Sequence, residues 1–417
     1  MNFVFMLLFT FMLKTLLLIL LASHVSLLTT PAASQVLPGA DRLFSDEYIR
    51  LIAGKRVGLV TNHTAFLSNG VHLADSLVGH PQVTLAALFG PEHGIRGEAG
   101  AGDEVGDSVD SLTGVRVYSQ YGKTTKPTMA MLEGLDVLLY DIQDVGARFY
   151  TYISTMTFAM EAAAEAGIPF VVLDRPNPIT GERVEGFVLE DSLKSFVGMH
   201  PIPIVYGMTS GELALMINEL GWLKGGIKAR LTVVRMHGWK RSMWYDETGL
   251  RWIPPSPNMR TVQTAVVYPG TCLFEGTNLS EGRGTDSPFE LVGAPFVDAR
   301  GWAEALNGLK LAGVRFQPVV FTPSVSKYAG VECRGVRVDV TDREMFEPVR
   351  TGLWMLATVF DLHKDEAVWK PRGIDRLAGT VLVREGIGKG QIPDAMLERK
   401  KASLRSFLAL RKRFLLY

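Results

Sequence analysis

The chain of 417 residues predicts an α/β protein: a parallel sheet with helices on both faces, followed by a smaller α+β domain, with a cleft between the two. Three observations carry this. Short apolar runs recur, and each ends in a polar loop. Alanine- and glutamate-bearing helical stretches separate the runs, an alternation that argues for parallel strands joined by crossover helices. Beyond residue 236 the alternation stops and the chain becomes rich in Trp, Pro, Gly and Asn. A chain this long exceeds one ordinary core, so two domains are expected, over residues 36–236 and 237–417.

Residues 1–35 stand apart. Lys14 precedes an apolar run from Leu16 to Leu21, and the stretch ends Pro31-Ala32-Ala33-Ser34, the pattern of a signal peptide cleaved near Ala33. Export to the periplasm or the exterior is the consequence. A start at Met12 would give the more usual Met-Leu-Lys opening. The alternative is an uncleaved anchor, since the stretch from Phe3 to Leu21 approaches membrane-spanning length, and membrane contact is expected only if this segment is retained.

Four strands are expected first, and each has a polar exit. Arg56 to Thr61 runs into Asn62-His63-Thr64, and Val83 to Phe89 into Gly90-Pro91-Glu92-His93-Gly94. Asp136 to Tyr140 leads to Asp141-Ile142-Gln143-Asp144, and Phe170 to Leu173 leads to Asp174-Arg175-Pro176-Asn177. Helices are expected over Thr128 to Leu135, Met156 to Ala166 and Ser210 to Leu220, with a strand at Leu231 to Met236. Residues 237–296 read as long functional loops, Trp252 to Asn258 among them. After Val297 the expected elements are helices at Arg300 to Asn307, Phe346 to Leu362 and Asp394 to Phe414, with strands at Val314 to Phe321 and Val331 to Val340.

Composition excludes several partners. Acidic and basic residues balance at 43 each, so no overall field draws the chain to nucleic acid, and a neutral or small-molecule partner is favoured. The basic stretch from Glu398 to Arg413 is interleaved with Leu404, Phe407 and Leu408 and reads as an amphipathic surface helix. Cys272 and Cys333 lack the neighbours of a nucleophile or zinc site, and the histidines lack helical metal spacing, so neither metal nor cofactor is expected. Gly207-Met208-Thr209-Ser210-Gly211 is not a serine-hydrolase elbow. The Gly-rich loop from Glu275 to Asp286 lacks the Lys-Ser/Thr pair of a phosphate cradle. The first strand exit lacks the Gly-x-Gly-x-x-Gly of a dinucleotide site.

Ligands of parallel sheets bind beyond the carboxyl ends of the strands, where the polar exits lie. Glu92 follows a buried strand directly, with Gly90 and Gly94 freeing the backbone and Pro91 fixing the approach, so its carboxylate is presented rigidly and suits a general acid. The alternative is a structural pairing with His93 or Arg96. Asp141, Asp144, Arg148, Tyr150 and Tyr152 form a second set, able to hold sugar hydroxyls or supply a second carboxylate; its alternative is an Asp144–Arg148 ion pair with aromatic packing. Asp174, Arg175 and Asn177 fit a capped loop or a ligand contact equally well. Asn278, Glu281 and Arg283 are expected to pack against the strand ends and close the cleft, and Asn258 lies in the loop expected to carry function.

Taken in order, Leu88 to Gly97, Tyr140 to Arg148, Leu173 to Pro178 and Phe274 to Thr285 resemble the exo-β-N-acetylmuramidase family NamZ, once catalogued as the DUF1343 domain of unknown function. The resemblance runs from about Leu51 to the C-terminus. It implies a Rossmann-like catalytic domain, a C-terminal domain closing the cleft, and release of N-acetylmuramic acid from non-reducing ends of peptidoglycan fragments. It places the catalytic glutamate at Glu92. For the second group Asp141, Asp144 and Glu281 stay open, as does the substrate's own acetamido group. The lactyl carboxylate of the sugar calls for a cation, with Arg96, Arg148, Arg175 and Arg283 as candidates. Trp252 or Tyr150 can stack on a sugar face. The competing class is a non-catalytic cell-wall or sugar-binding protein with the same cleft.

Overall fold

Seven strands form one sheet in the order β3-β4-β2-β1-β5-β6-β7 in a computed structural model that describes residues 35–97, 106–122 and 124–417. They are β1 Lys55–Thr61, β2 Val83–Gly90, β3 Ser108–Val109, β4 Arg116–Ser119, β5 Val137–Asp141, β6 Phe170–Leu173 and β7 Leu231–Val234. Every pairing is parallel except that of the short edge strand β3 with β4. The signal-peptide reading and the Met12 start lie outside the described residues.

The apolar runs were predictive because the central strands are buried on both faces. Along β5, Val137 and Leu139 pack with Leu73 and Leu77 of the helix Leu73–Val78. The alternate residues Leu138 and Tyr140 face the other way, onto Met156 and Met160 of the helix Tyr152–Glu165. Helix Ser210–Glu219 opens with a reciprocal cap: Glu212 N donates to Thr209 Oγ1 at 3.2 Å, and Thr209 N donates to Glu212 Oε2 at 3.1 Å.

Three stretches differ from expectation. The helix expected over Thr128 to Leu135 shrinks to Met129–Leu132, because Gly134 turns into the left-handed region at φ 73°. The single C-terminal helix expected from Asp394 breaks at Lys400 into Pro393–Arg399 and Lys401–Arg411, and the Lys400 ammonium bonds Glu190 at 2.8 Å. The supposed loop region contains a helix, Val262–Thr271, capped by the Thr261 side chain. Its β-branched, proline-bearing sequence has weak helical propensity, and tertiary packing overrides it. Gly270 and Gly352 let this helix cross Pro348–Leu362 closely: a Cβ on Gly270 would lie 2.0 Å from Pro348 O.

The C-terminal part adds an antiparallel sheet, β8-β10-β9, from Leu291–Ala294, Cys333–Val340 and Val314–Phe321. Its Val292, Val336 and Val338 join the same core as Phe170 and Met156, so apolar packing is continuous from one sheet to the other. Cys272 and Cys333 are buried free thiols in separate clusters. Among the described residues no helix is long and apolar enough to cross a membrane.

Candidate active site

Parallel register aligns the strand exits. Thr61 pairs with Asp141, Val60 with Phe89, and Gly90 with Ser119, so the loops after β1, β2, β4 and β5 emerge side by side. The loop after β2 is tight. Gly94 N returns to Pro91 O at 3.0 Å, and three residues take positive φ: His93 at 74°, Gly94 at 71° and Gly97 at 77°. A histidine in the left-handed region carries strain that surrounding structure must hold, and such residues cluster at functional sites. Gly97 has no room for a side chain, since a Cβ would lie 2.7 Å from the His63 ring.

Glu92 sits at the crest of this loop and lines two adjoining cavities. The smaller, of about 240 Å³, is walled by Phe149, Tyr150, Tyr152, Phe196 and Tyr268, and also holds His93, Tyr121, Glu275 and Arg283. The larger, of about 1020 Å³, passes Asn258, Arg260, Asp286 and Ser324 and shares both Glu92 and Arg283. Neighbouring loops are pinned around the opening. Tyr152 Oη donates to Pro255 O at 2.6 Å, and His63 Nε2 lies 2.7 Å from Pro254 O, which holds the 254–258 segment over the strand ends. Gln120 N donates to Gly90 O at 2.7 Å, and Tyr121 lies beside Glu92; burial and that neighbouring carboxylate push the Tyr121 hydroxyl pKa up. The buried Tyr150 hydroxyl lies by Ser256 and Tyr152 without completing a hydrogen bond of ordinary geometry.

Of the residues singled out from sequence, the structure thus brings together Glu92, His93, Tyr150, Tyr152, Asn258 and Arg283. The others lie elsewhere. Asp141 is fully buried in a two-point ion pair with Arg175, whose Nη2 also reaches Phe66 O at 3.1 Å. Asp174 accepts from Thr209 Oγ1 at 2.7 Å, Gly211 N at 2.8 Å and Tyr417 Oη at 2.8 Å, and burial pushes its carboxyl up to about 7. Asn177 accepts from Ile179 N and donates to Met208 O. Arg96 is bound by Asp75 and Asp110. Arg148 is 1% exposed and, rather than pairing with Asp144, gives its guanidinium to the carbonyls of Phe187, Ile202 and Leu377; burial lowers its pKa to about 9. Asn278 clasps Glu366 O and Val368 N. Glu281 is 2% exposed behind Arg283 and Lys327. Trp252 packs edge-on against Tyr245, donates to Arg260 O and lines neither cavity.

Sequence reasoning passed over Glu275, Tyr121, Ser256 and Tyr268. Glu275 did carry a signal, since it opens the Glu-Gly-Thr-Asn run of the Gly-rich loop. Burial pushes the Glu275 carboxyl pKa up, against the pull of Arg283.

Asp144 gives a pH-dependent expectation. Its Oδ2 accepts from Tyr206 Oη and from Gly146 N, whereas Oδ1 is buried without a partner; burial pushes the carboxyl up to about 6. With the folded value raised above an unfolded value of about 3.9, the associated stability is fully present below about pH 4 and is lost as pH rises through about 6. Asp144→Asn removes that loss. Urea midpoints from pH 4 to 8 should show wild type falling relative to the variant between about pH 4 and 6, whereas parallel curves would contradict the assignment.

A carboxylate on a rigid loop, an aromatic-walled cavity beside it and a second carboxylate in the same cavity are the parts that a glycosidase on a doubly wound sheet requires. Sequence comparison agrees. The family model "Exo-beta-N-acetylmuramidase NamZ, N-terminal" matches residues 57–263, and its C-terminal counterpart matches residues 266–417. The chain belongs to this NamZ family of glycosidases. It is 49% identical over 389 residues to the peptidoglycan β-N-acetylmuramidase NamZ of Bacillus subtilis (strain 168), covering 93% of each protein. Crystal structures of two DUF1343 family proteins from Bacteroides fragilis NCTC 9343 share the fold. One aligns at TM-score 0.84 with 39% identity, the other at 0.76 with 35%; each comparison covers 92% of this chain and 99% of the other.

Proposed function

We propose that the chain releases N-acetylmuramic acid from the non-reducing ends of peptidoglycan fragments, with Glu92 as the general acid. The observation that supports this most is the position of Glu92 on the boundary between the two cavities. The smaller accepts the terminal sugar, the larger accepts the rest of the fragment, and the bond joining them then crosses at the carboxyl group. Glu92 gives its proton to the glycosidic oxygen as the bond to the anomeric carbon breaks. Water supplies hydroxide to that carbon and its remaining proton returns to Glu92. Tyr121, beside Glu92 in the same cavity, helps to orient the carboxyl. Arg283 lines both cavities and supplies a positive charge for the lactyl carboxylate. The signal-like N-terminus supports the further proposal that the enzyme acts after export.

Purified protein incubated with a disaccharide bearing N-acetylmuramic acid at its non-reducing end should release the free sugar, and should leave a chromogenic N-acetylglucosaminide intact. Turnover of the second substrate but not the first overturns the proposal.

A further inference from the structure

The second carboxyl group of the smaller cavity is Glu275, and its surroundings are built in detail. It lies in a single-turn 3-10 helix, Cys272–Gly276, that cannot shift easily: Lys370 N donates to Gly276 O at 2.8 Å, and a Cβ on Gly276 would lie 2.6 Å from Ile374 N. Arg283 donates to Glu275 Oε1 twice, from Nε at 3.1 Å and from Nη2 at 2.6 Å. Arg283 is itself aimed by Glu281 at 3.2 Å. Lys327 holds Glu281 at 3.0 Å and is anchored on the carbonyls of Phe274 and Leu279. One carboxyl oxygen of Glu275 is thus fully engaged. The other, Oε2, takes neither of these bonds, and the Glu275 side chain is 32% exposed, which leaves this oxygen open to the cavity.

Resting on the reading of Glu92 as acid, we infer that Glu275 is the second carboxylate of the reaction, its Oε2 facing the sugar and opposing the positive charge that develops at the anomeric carbon. A glycosidic bond breaks through an oxocarbenium-like state, so a fixed anion beside that carbon is worth most in the transition state. Arg283 holds the anion in place without occupying the oxygen that does this. Asp141, Asp144 and Glu281 line neither cavity, which leaves Glu275 beside Glu92 in the smaller one.

The two carboxyl groups are separable by leaving group. A nitrophenolate departs without a proton, so an aryl β-muramide needs the anion but not the acid. Glu92→Gln should lose about 10²–10⁴-fold in kcat on the disaccharide yet keep most of its kcat/KM on the aryl substrate, whose bond breaks before Glu92 is called on to take the proton of water. Glu275→Gln should lose about 10²–10³-fold on both substrates, with KM within about threefold of wild type. Glu275→Asp, which keeps the charge and can still pair with Arg283, should lose at least about tenfold on both and guards against misfolding of the amide variant. Should Glu275→Gln keep more than about a third of wild-type kcat, lose activity on the disaccharide alone, or change only KM and melting temperature, the inference is wrong. A Glu92→Gln enzyme that fails to keep its kcat/KM on the aryl substrate counts against Glu92 as acid and leaves the role of Glu275 standing.

Discussion

Replacing Glu92 by glutamine should lower kcat on a muramyl disaccharide by about 10³-fold, within the range of about 10²–10⁴ that positioned acid catalysis supplies, while KM stays within about threefold. The amide matches the carboxyl in size, so neither cavity changes shape. What it loses is the transferable proton. The loss therefore falls on an interaction made only as the bond breaks, and such losses appear in kcat rather than in substrate binding. The strained loop strengthens the expectation. His93 at φ 74° is held between Glu92 and Gly94, an arrangement with little purpose if the carboxylate merely decorated the surface. Steady-state kinetics on the disaccharide, with circular dichroism to verify the fold, checks the prediction. A sugar-binding protein without catalysis would have no turnover to lose, and unchanged hydrolysis in the variant would remove Glu92 from the reaction.

The fold was legible because central parallel strands are buried on both faces and announce themselves as apolar runs with polar exits. The loop bearing Glu92 was legible for a related reason: its glycines and proline state a backbone requirement directly in the sequence. Which polar exits face the ligand was not legible. Asp141 and Arg175 stand 34 positions apart, and nothing local to either says that they meet. Arg148 looked like a partner for Asp144, four residues before it, yet its guanidinium satisfies three carbonyls, one of them at Leu377, far along the chain. Glu275 was hidden differently. Its access to the cavity depends on a helix, Val262–Thr271, whose sequence does not look helical and which forms because two glycines let it pack closely against another. Local chemistry therefore located one side of the site, and long-range packing decided the other.

Arg175→Met should destabilise the protein by about 3–5 kcal/mol, the usual penalty for removing one partner of a buried ion pair. Asp141 is 0% exposed, and Arg175 at 5% exposed supplies both of its side-chain ion-pair contacts. Without the guanidinium the carboxylate must stay ionised in a low-dielectric site or take up a proton, and either outcome favours the unfolded chain. Pairing the substitution with Asp141→Asn removes the stranded charge, so the double variant should regain at least about half of the lost stability; residues in direct contact are not expected to add independently. Urea unfolding of the wild type, both single variants and the double variant at pH 7 measures this coupling. The same four proteins separate a structural ion pair from a substrate site. Since neither side chain lines either of the two cavities at Glu92, kcat/KM well below the unfolding transition should stay within about threefold of wild type in the double variant. A large kinetic loss with little change in stability would instead place Asp141 and Arg175 against the sugar.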